Sequence, residues 1–308
     1  MDETERVEMT TLVDNYVDIF LPDGGETVYP KPGQLSSLIA EQGFSIFVKS
    51  YKGSKELSIL YDFGRSKDVL MRNASLLGIP LKGSLDYLVL SHGHIDHYGS
   101  LIPLLKEEGL KMPFVIIHPD AFLTRYMKFK NGRKVGPWKL EMDVFEERGG
   151  LIQTTEAVHL GDGIMTSGEI ERLTDFELRM EEAYRVEGET LVHDPITDDT
   201  SLIINVKEKG LIVITGCAHA GLINIIRHAI KLTHIDRIYG VIGGFHLNHS
   251  SEKQLCKTIE ILKELDIKLL SPMHCTGFYA TSMMSRKMRT QFVPNCVGAK
   301  IMISSPDR

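Results

Sequence analysis

Short runs of Val, Ile and Leu recur along the chain, separated by segments whose apolar positions repeat every three or four residues. That alternation is expected when buried strands are covered by amphipathic helices. It predicts strands near 8–13, 45–50, 56–62, 86–91 and 113–118, and again near 202–206, 211–216, 237–244, 267–273 and 298–303. Helices are predicted at 67–77, 97–108, 221–233, 251–265 and 277–289. In the 251–265 helix, Leu255, Ile259 and Leu262 share one face, and Ser250 or Ser251 can cap the free amides of its first turn. The fold class is therefore α/β.

The chain has 308 residues, 43% apolar and 25% charged, enough to build a sizeable core in one large domain spanning 1–308. One stretch differs. Residues from about 119 to 200 read as an insertion-like charged region, with a basic run (Arg125, Lys128, Lys130, Arg133, Lys134, Lys139) around Trp138. An acidic run follows (Glu169, Glu171, Asp175, Glu177, Glu181, Glu182), expected to be a solvated face, while the basic run is a candidate for holding an anionic substrate. No run of 18 apolar residues occurs and the start is acidic, so a cytoplasmic protein with no membrane partner is expected. A formal charge of -6 gives no global attraction for a polyanion, and no nucleic-acid partner is expected. The four cysteines show no CxxC spacing, which argues against structural zinc knuckles and a disulfide framework.

Histidine changes the picture. The predicted strand ending at Ser91 runs directly into His92, Gly93, His94, Ile95, Asp96 and His97, placing four ligand-type side chains within six residues. Imidazole nitrogen and carboxylate oxygen without a local thiolate pair suit Zn(II), Mn(II) or Fe(II) in a catalytic site that keeps a position open to water. Other strand ends carry Cys217 and His219, His246, and His274. Ligands gather outside the carboxyl ends of the strands in open sheets, so these residues are expected to converge on one rim.

The segments ILYDFGRS and LVLSHGHIDHYGSL resemble the metallo-β-lactamase fold superfamily, whose HxHxDH loop is its most specific signature. The pieces DDTSLIINVKEKGLIVITGCAHAGLINII, VIGGFHL and PMHCTG are similar to a branch described as metal-dependent hydrolases. That branch includes a dihydropterin ribofuranosylaminobenzene phosphate synthase of methanopterin biosynthesis. The resemblance covers about residues 8–303 and implies an αββα four-layer sandwich with two divalent metal ions, zinc first and Mn or Fe as alternatives, at one edge.

The family pattern implies that His92 and His94 hold the first ion, and that Asp96, His97 and His274 hold the second. The first still needs a third protein ligand, for which His219 is chosen over His159 and His193 because it follows a buried strand and a tight turn. The pattern would place a bridging aspartate about where Cys217 stands; the cysteine is read either as a thiolate ligand or as a small buried residue. His246 is a candidate catalytic residue together with Asp96, with a purely structural role in its turn as the rival. His118 is expected at the rim of the cleft, His228 and His234 on helix surfaces. Asp62 is expected to fix an imidazole from behind, and Asp14 and Asn15 to lie near the site. The implied function is a dinuclear metal-dependent hydrolase using a metal-bound hydroxide on a small, phosphorylated or ester-bearing metabolite. The alternative is a pterin-dependent synthase. A phosphate is expected to meet the 125–139 basic stretch or donors near Thr276 and Arg286. Oligomeric state is left open.

Overall fold

A computed structural model describes residues 1–31, 38–83, 85–111, 113–177 and 180–306. Ten strands form where the apolar runs predict them, in two sheets packed face to face. The first has the order Thr27–Val28, Lys300–Ser304, Arg6–Val13, Ser45–Lys52, Lys55–Tyr61, Tyr87–Val89, Phe114–Ile117, Leu151–Gln153. It is antiparallel up to the Lys55–Tyr61 strand and parallel beyond it. The second has the order His159–Gly161, Ile164–Thr166, Leu202–Val206, Gly210–Thr215, Ile238–Gly244, Leu269–Met273, with its last three strands parallel.

Both sheets are apolar on both faces, and the side-chain period of two decides where each residue goes. Ile46, Val48, Ile59 and Tyr61 of the first sheet meet Leu202, Ile204, Ile212 and Ile214 of the second in the central layer. Their neighbours Phe47 and Leu60 face outward onto Leu70, Leu101 and Leu104 of the helical layer. On the far side, Ile203, Leu211, Val213 and Val241 are covered by helices Leu222–Thr233, Glu252–Glu264 and Phe278–Lys287. The result is the expected αββα sandwich. Ser251, one of the two expected caps, closes a capping box with Gln254.

The helix expected at 97–108 forms differently. It starts two residues early and is divided into Ile95–Tyr98 and Leu101–Leu105. Pro103 has no N–H to give the carbonyl of Gly99, so the ladder is interrupted there.

The charged region divides physically. Leu151–Gln153, His159–Gly161 and Ile164–Thr166 are strands of the two main sheets. Arg125–Lys128, Lys134–Trp138, Ala183–Glu187 and Thr190–His193 form a separate four-stranded antiparallel sheet over the sandwich edge. Arg125 does not face a ligand, contrary to expectation. Its side chain is buried, with Nε donating to Asp194 at 2.6 Å and Nη1 to Asp198 at 2.8 Å. Glu177 is likewise not on a solvated face: its carboxylate accepts from the amides of Ile223 and Asn224 at 2.7 and 3.0 Å, where the exposed donors and positive dipole end of helix Leu222–Thr233 favour an anion.

Removing one member of a buried ion pair leaves an uncompensated charge. Arg125→Leu is expected to destabilise the fold by about 3–5 kcal/mol, measured as a lower midpoint in urea unfolding; a midpoint equal to wild type would refute the triad's structural role.

Candidate metal centre

Five of the parallel strands of the two sheets end on one rim and deliver a side chain there. Lys55–Tyr61 leads to Asp62, Tyr87–Val89 to the 91–97 loop, Gly210–Thr215 to Cys217 and His219, Ile238–Gly244 to His246, and Leu269–Met273 to His274. Asp62, Ala218, His246 and His274 all have positive φ, between 47° and 58°. Non-glycine residues in this region cluster at functional sites, held there by surrounding packing. Four of them alternate here with the ligand-type residues of a single rim.

The 91–97 loop is gripped at successive backbone groups. Asp62 Oδ1 accepts from the Ser91 amide at 2.7 Å, the Thr200 amide donates to the Ser91 carbonyl at 2.8 Å, and Asp198 Oδ2 accepts from the Gly93 amide at 2.7 Å. Phe44 N donates to Asp96 O and Phe63 N to His97 O. Gly93 is required by this closeness, since a Cβ there would overlap the Ala121 carbonyl and the Arg125 guanidinium.

Asp62 also sets the tautomers. Its Oδ2 accepts from Ser91 Oγ at 2.7 Å and from His97 Nδ1 at 2.6 Å. Because the Ser91 hydroxyl proton is committed to the carboxylate, Ser91 Oγ accepts from His92 Nδ1 at 2.9 Å. The Nε2 lone pair of His92 therefore points away from the sheet, and His97 Nε2 faces Cys217 Sγ at 3.1 Å. His274 is fixed in the same manner by Asn15 Oδ1, 3.3 Å from its Nδ1, while Asp14 accepts from its backbone amide. The expected placement of Asp62, Asp14 and Asn15 is what the structure shows.

Two groups of ligand atoms result. His92 Nε2 lies 3.0 Å from His94 Nδ1 and 3.2 Å from His219 Nε2. Two nitrogens bound about 2.0–2.1 Å from one tetrahedral ion lie about 3.3 Å apart, so the His92–His94 and His92–His219 pairs each have the spacing of ligands to one divalent cation, and Cys217 joins His92 and His219 within 4.8 Å. Burial above all, then the neighbouring cationic groups, lowers the proton affinity of His92 and His219 well below the ordinary value and brings His94 to about 3. All three offer neutral lone pairs. The second group holds His97, Cys217 and His274, with ligand atoms all within 4.8 Å of one another. Asp96 Oδ2 stands 3.5 Å from His274 Nε2, an ion-pair contact too long and misdirected to count as a hydrogen bond, which leaves that buried nitrogen without a hydrogen-bond partner. Burial opposes charge on His97, but Asp62 outweighs it with help from Asp96 and raises the imidazole to about 9. The same carboxylate makes Nε2 a more basic ligand.

His246 packs against His219 with ring centroids 4.4 Å apart, and its buried Nδ1 has no partner. It faces a cleft of 1510 Å³ whose floor is His94, Asp96, Cys217, His219 and His274. Met127, Phe129, Val135 and Trp138 of the four-stranded sheet form an apolar wall of the same cleft. The basic run therefore contributes mainly apolar side chains: of its cations only Lys130 lines the cleft, 3.2 Å from Glu181. Thr276 is buried and bonded to Met273 O and Phe245 N, and Arg286 lies in a separate surface depression.

The remaining histidines lie elsewhere. His159 and His193 are exposed, the latter against Met180 O. His118 is not at the cleft rim; its Nδ1 caps a helical turn by accepting from Asp120 N. His228 binds the Ser167 carbonyl and His234 ends its helix in the left-handed conformation. Sequence reasoning passed over Ser91, Asp194, Asp198 and Cys275. Only the DDT run at 198–200, acidic residues immediately ahead of an apolar strand, could have signalled part of that set.

Asp62→Asn keeps the shape and tolerates positive φ, but replaces an acceptor-only group. It is expected to weaken zinc binding about 10- to 100-fold while the protein remains folded, as read by competition with a chromophoric chelator. Unaltered affinity would show that Asp62 does not set the imidazoles.

The profile of the metallo-beta-lactamase superfamily matches residues 40–274. A protein of Methanocaldococcus jannaschii named 7,8-dihydropterin-6-methyl-4-(beta-D-ribofuranosyl)-aminobenzene-5'-phosphate synthase is 32% identical over 265 residues, 84% of this chain and 89% of that protein. An uncharacterized protein of the same organism is 34% identical over 247 residues, 80% of this chain and 88% of its own. Among solved structures, Tm1679, described as a metal-dependent hydrolase of the beta-lactamase superfamily, superposes with a TM-score of 0.75 at 24% identity, covering 97% of this chain and 100% of that one. A diphosphatase of the PhnP family has a TM-score of 0.50 at 15% identity, with 97% of each chain covered. Those two structures speak for the fold alone; the profile and the sequence relatives go further, and by them the chain belongs to the metallo-beta-lactamase superfamily.

Proposed function

We propose that this protein is a dinuclear metal-dependent hydrolase acting on a small phosphorylated or ester-bearing metabolite. The observation that carries the reading is that His92 Nε2 lies 3.0 Å from His94 Nδ1 and 3.2 Å from His219 Nε2, with His97 and His274 grouped around Cys217 beside them and Asp96 3.5 Å from His274. His92, His94 and His219 would hold one ion, and Asp96, His97 and His274 the other. Zinc is the first choice for such nitrogen-rich sites, with Mn or Fe as alternatives. Two divalent ions supply Lewis acidity and make water a nucleophile near neutral pH, so no serine or cysteine nucleophile is needed.

The chain's own groups do the rest. Asp62 and Ser91 hold the imidazoles so that no reorganisation is required when charge develops. Asp96, partly open to the cleft, is kept ionised: burial opposes its charge, but His97, His274 and His94 outweigh it and lower the carboxyl to about 2, so it would offer an anionic oxygen to an ion. His246, whose side chain lines the cleft, would donate a hydrogen bond or a proton to substrate. Phe129, Val135 and Trp138 exclude water from one side of a bound molecule, and Arg65 and Lys130 are the cleft's cations for an anionic group.

A second reading, a synthase joining a pterin to an aminobenzene ribose phosphate, is favoured by the 32% identical relative that bears such a name. Incubation with phosphodiesters, phosphomonoesters, thioesters and a pterin pyrophosphate, with and without the aminobenzene acceptor, separates the two. Hydrolysis that stops on chelation and returns with zinc, manganese or iron is expected. A joined product formed without free hydrolysis would favour the synthase, and turnover indifferent to chelation would defeat both. His246→Gln is expected to lower kcat by about 100-fold or more with bound metal unchanged, checked by steady-state kinetics alongside metal analysis; full activity would return His246 to a structural role.

A further inference from the structure

Cys217 stands where the two groups of ligands meet. Its Sγ lies within 4.8 Å of the ligand atoms of His92 and His219, and separately within 4.8 Å of those of His97 and His274. No other described side chain belongs to both groups. The residue is 4% exposed, and the turn that carries it is pressed onto the orienting carboxylate: a Cβ on Gly216 would overlap Ser91 and come within 2.9 Å of Asp62 Oδ2. The backbone leading into Cys217 therefore sits directly against the Asp62–Ser91 pair.

Charge points the same way. His92, His94 and His219 are neutral when their lone pairs are given to a cation, so the first group contains no anionic protein ligand. The second holds no carboxylate of its own, with Asp96 beside it, 3.5 Å from His274. An anion between two neighbouring divalent cations would lower their mutual repulsion, and the one described side chain common to both groups is Cys217. A sulfur about 2.3 Å from each of two ions about 3.5–4 Å apart subtends about 100–120°, a relaxed angle for a thiolate.

We infer that the Cys217 thiolate bridges the two ions, bonded to both at once. The thiol proton is released to solvent as the two metal–sulfur bonds form, and no redox change accompanies it. Cys275, the neighbouring thiol, joins Cys217 and His246 in a third group but belongs to neither histidine group. This inference rests on the two-ion reading above.

The test is X-ray absorption on the wild-type protein loaded with two zinc equivalents, together with metal analysis. A bridge gives one sulfur per zinc at about 2.3 Å. Half a sulfur per zinc places Cys217 on one ion and overturns the bridge, as does none. Fewer than two bound ions overturns the two-ion reading and the bridge with it, so the two failures are distinguishable. In the Co(II)-loaded protein, Cys217→Ser is expected to lose the intense near-ultraviolet thiolate-to-cobalt band, whereas Cys275→Ser keeps it. The opposite assignment would name Cys275 as the ligand and refute the proposal. Repeated on Cys275→Ser, the absorption measurement excludes a second thiolate: one sulfur per zinc there upholds the bridge and half a sulfur per zinc overturns it, even if Cys217→Ser does not fold.

Discussion

One buried carboxylate organises the rim. Asp62 accepts three hydrogen bonds, from the Ser91 amide, the Ser91 hydroxyl and His97 Nδ1, all at 2.6–2.7 Å. Through Ser91 it dictates the tautomer of His92 as well, so the free nitrogens of two imidazoles are aimed by a residue that touches neither free nitrogen. Its backbone conformation at φ 58° is what turns the end of a central strand back toward the loop. Were the carboxylate displaced, Ser91 and both imidazoles could rotate, and the converging lone pairs would be replaced by ordinary hydrogen bonds among histidines. Geometry of this kind must be held by partners outside the ligands themselves.

A second network ties the accessory sheet to the same loop. Asp198 accepts from both Arg125 and the Gly93 amide, so the strand Arg125–Lys128 and the loop carrying His92 and His94 share a carboxylate. Buried ion pairs are weak evidence for stability as such, because desolvation offsets most of the Coulomb gain. Their worth here is positional: the forked guanidinium fixes two carboxylates at once, and with them the distance between the apolar wall and the histidine floor.

The composition of the cleft bears on what it can receive. Its wall is Met127, Phe129, Val135 and Trp138, and its cations are Arg65 and Lys130, the latter already near Glu181. An anionic group entering there would find little protein cation to meet it; on the proposed two-ion reading, bound ions at the floor would be the largest local charges. A flat or apolar moiety on the same molecule would lie against the wall. Side-chain direction, not residue count, decides what faces a cavity, which is why of the basic run's cations only Lys130 lines this one.

The two sheets, their covering helices and the HxHxDH loop were legible in the sequence because each depends on short-range pattern. A strand buried on both faces must be apolar throughout, an amphipathic helix must repeat every three or four residues, and four ligand-type residues in six positions have no common packing explanation. His219, His246 and His274 could be suspected because they follow apolar strands, and strand ends share a rim in such sheets. Only the tertiary structure decided what lies between them. That Ser91 relays Asp62 to His92, that Arg125 is buried between Asp194 and Asp198, that Glu177 caps a helix, and that Cys217 faces both histidine groups are relations between residues up to about 120 positions apart. Charge runs and single cysteines carry no direction in one dimension; their meaning is fixed by which way the backbone turns at the end of each strand.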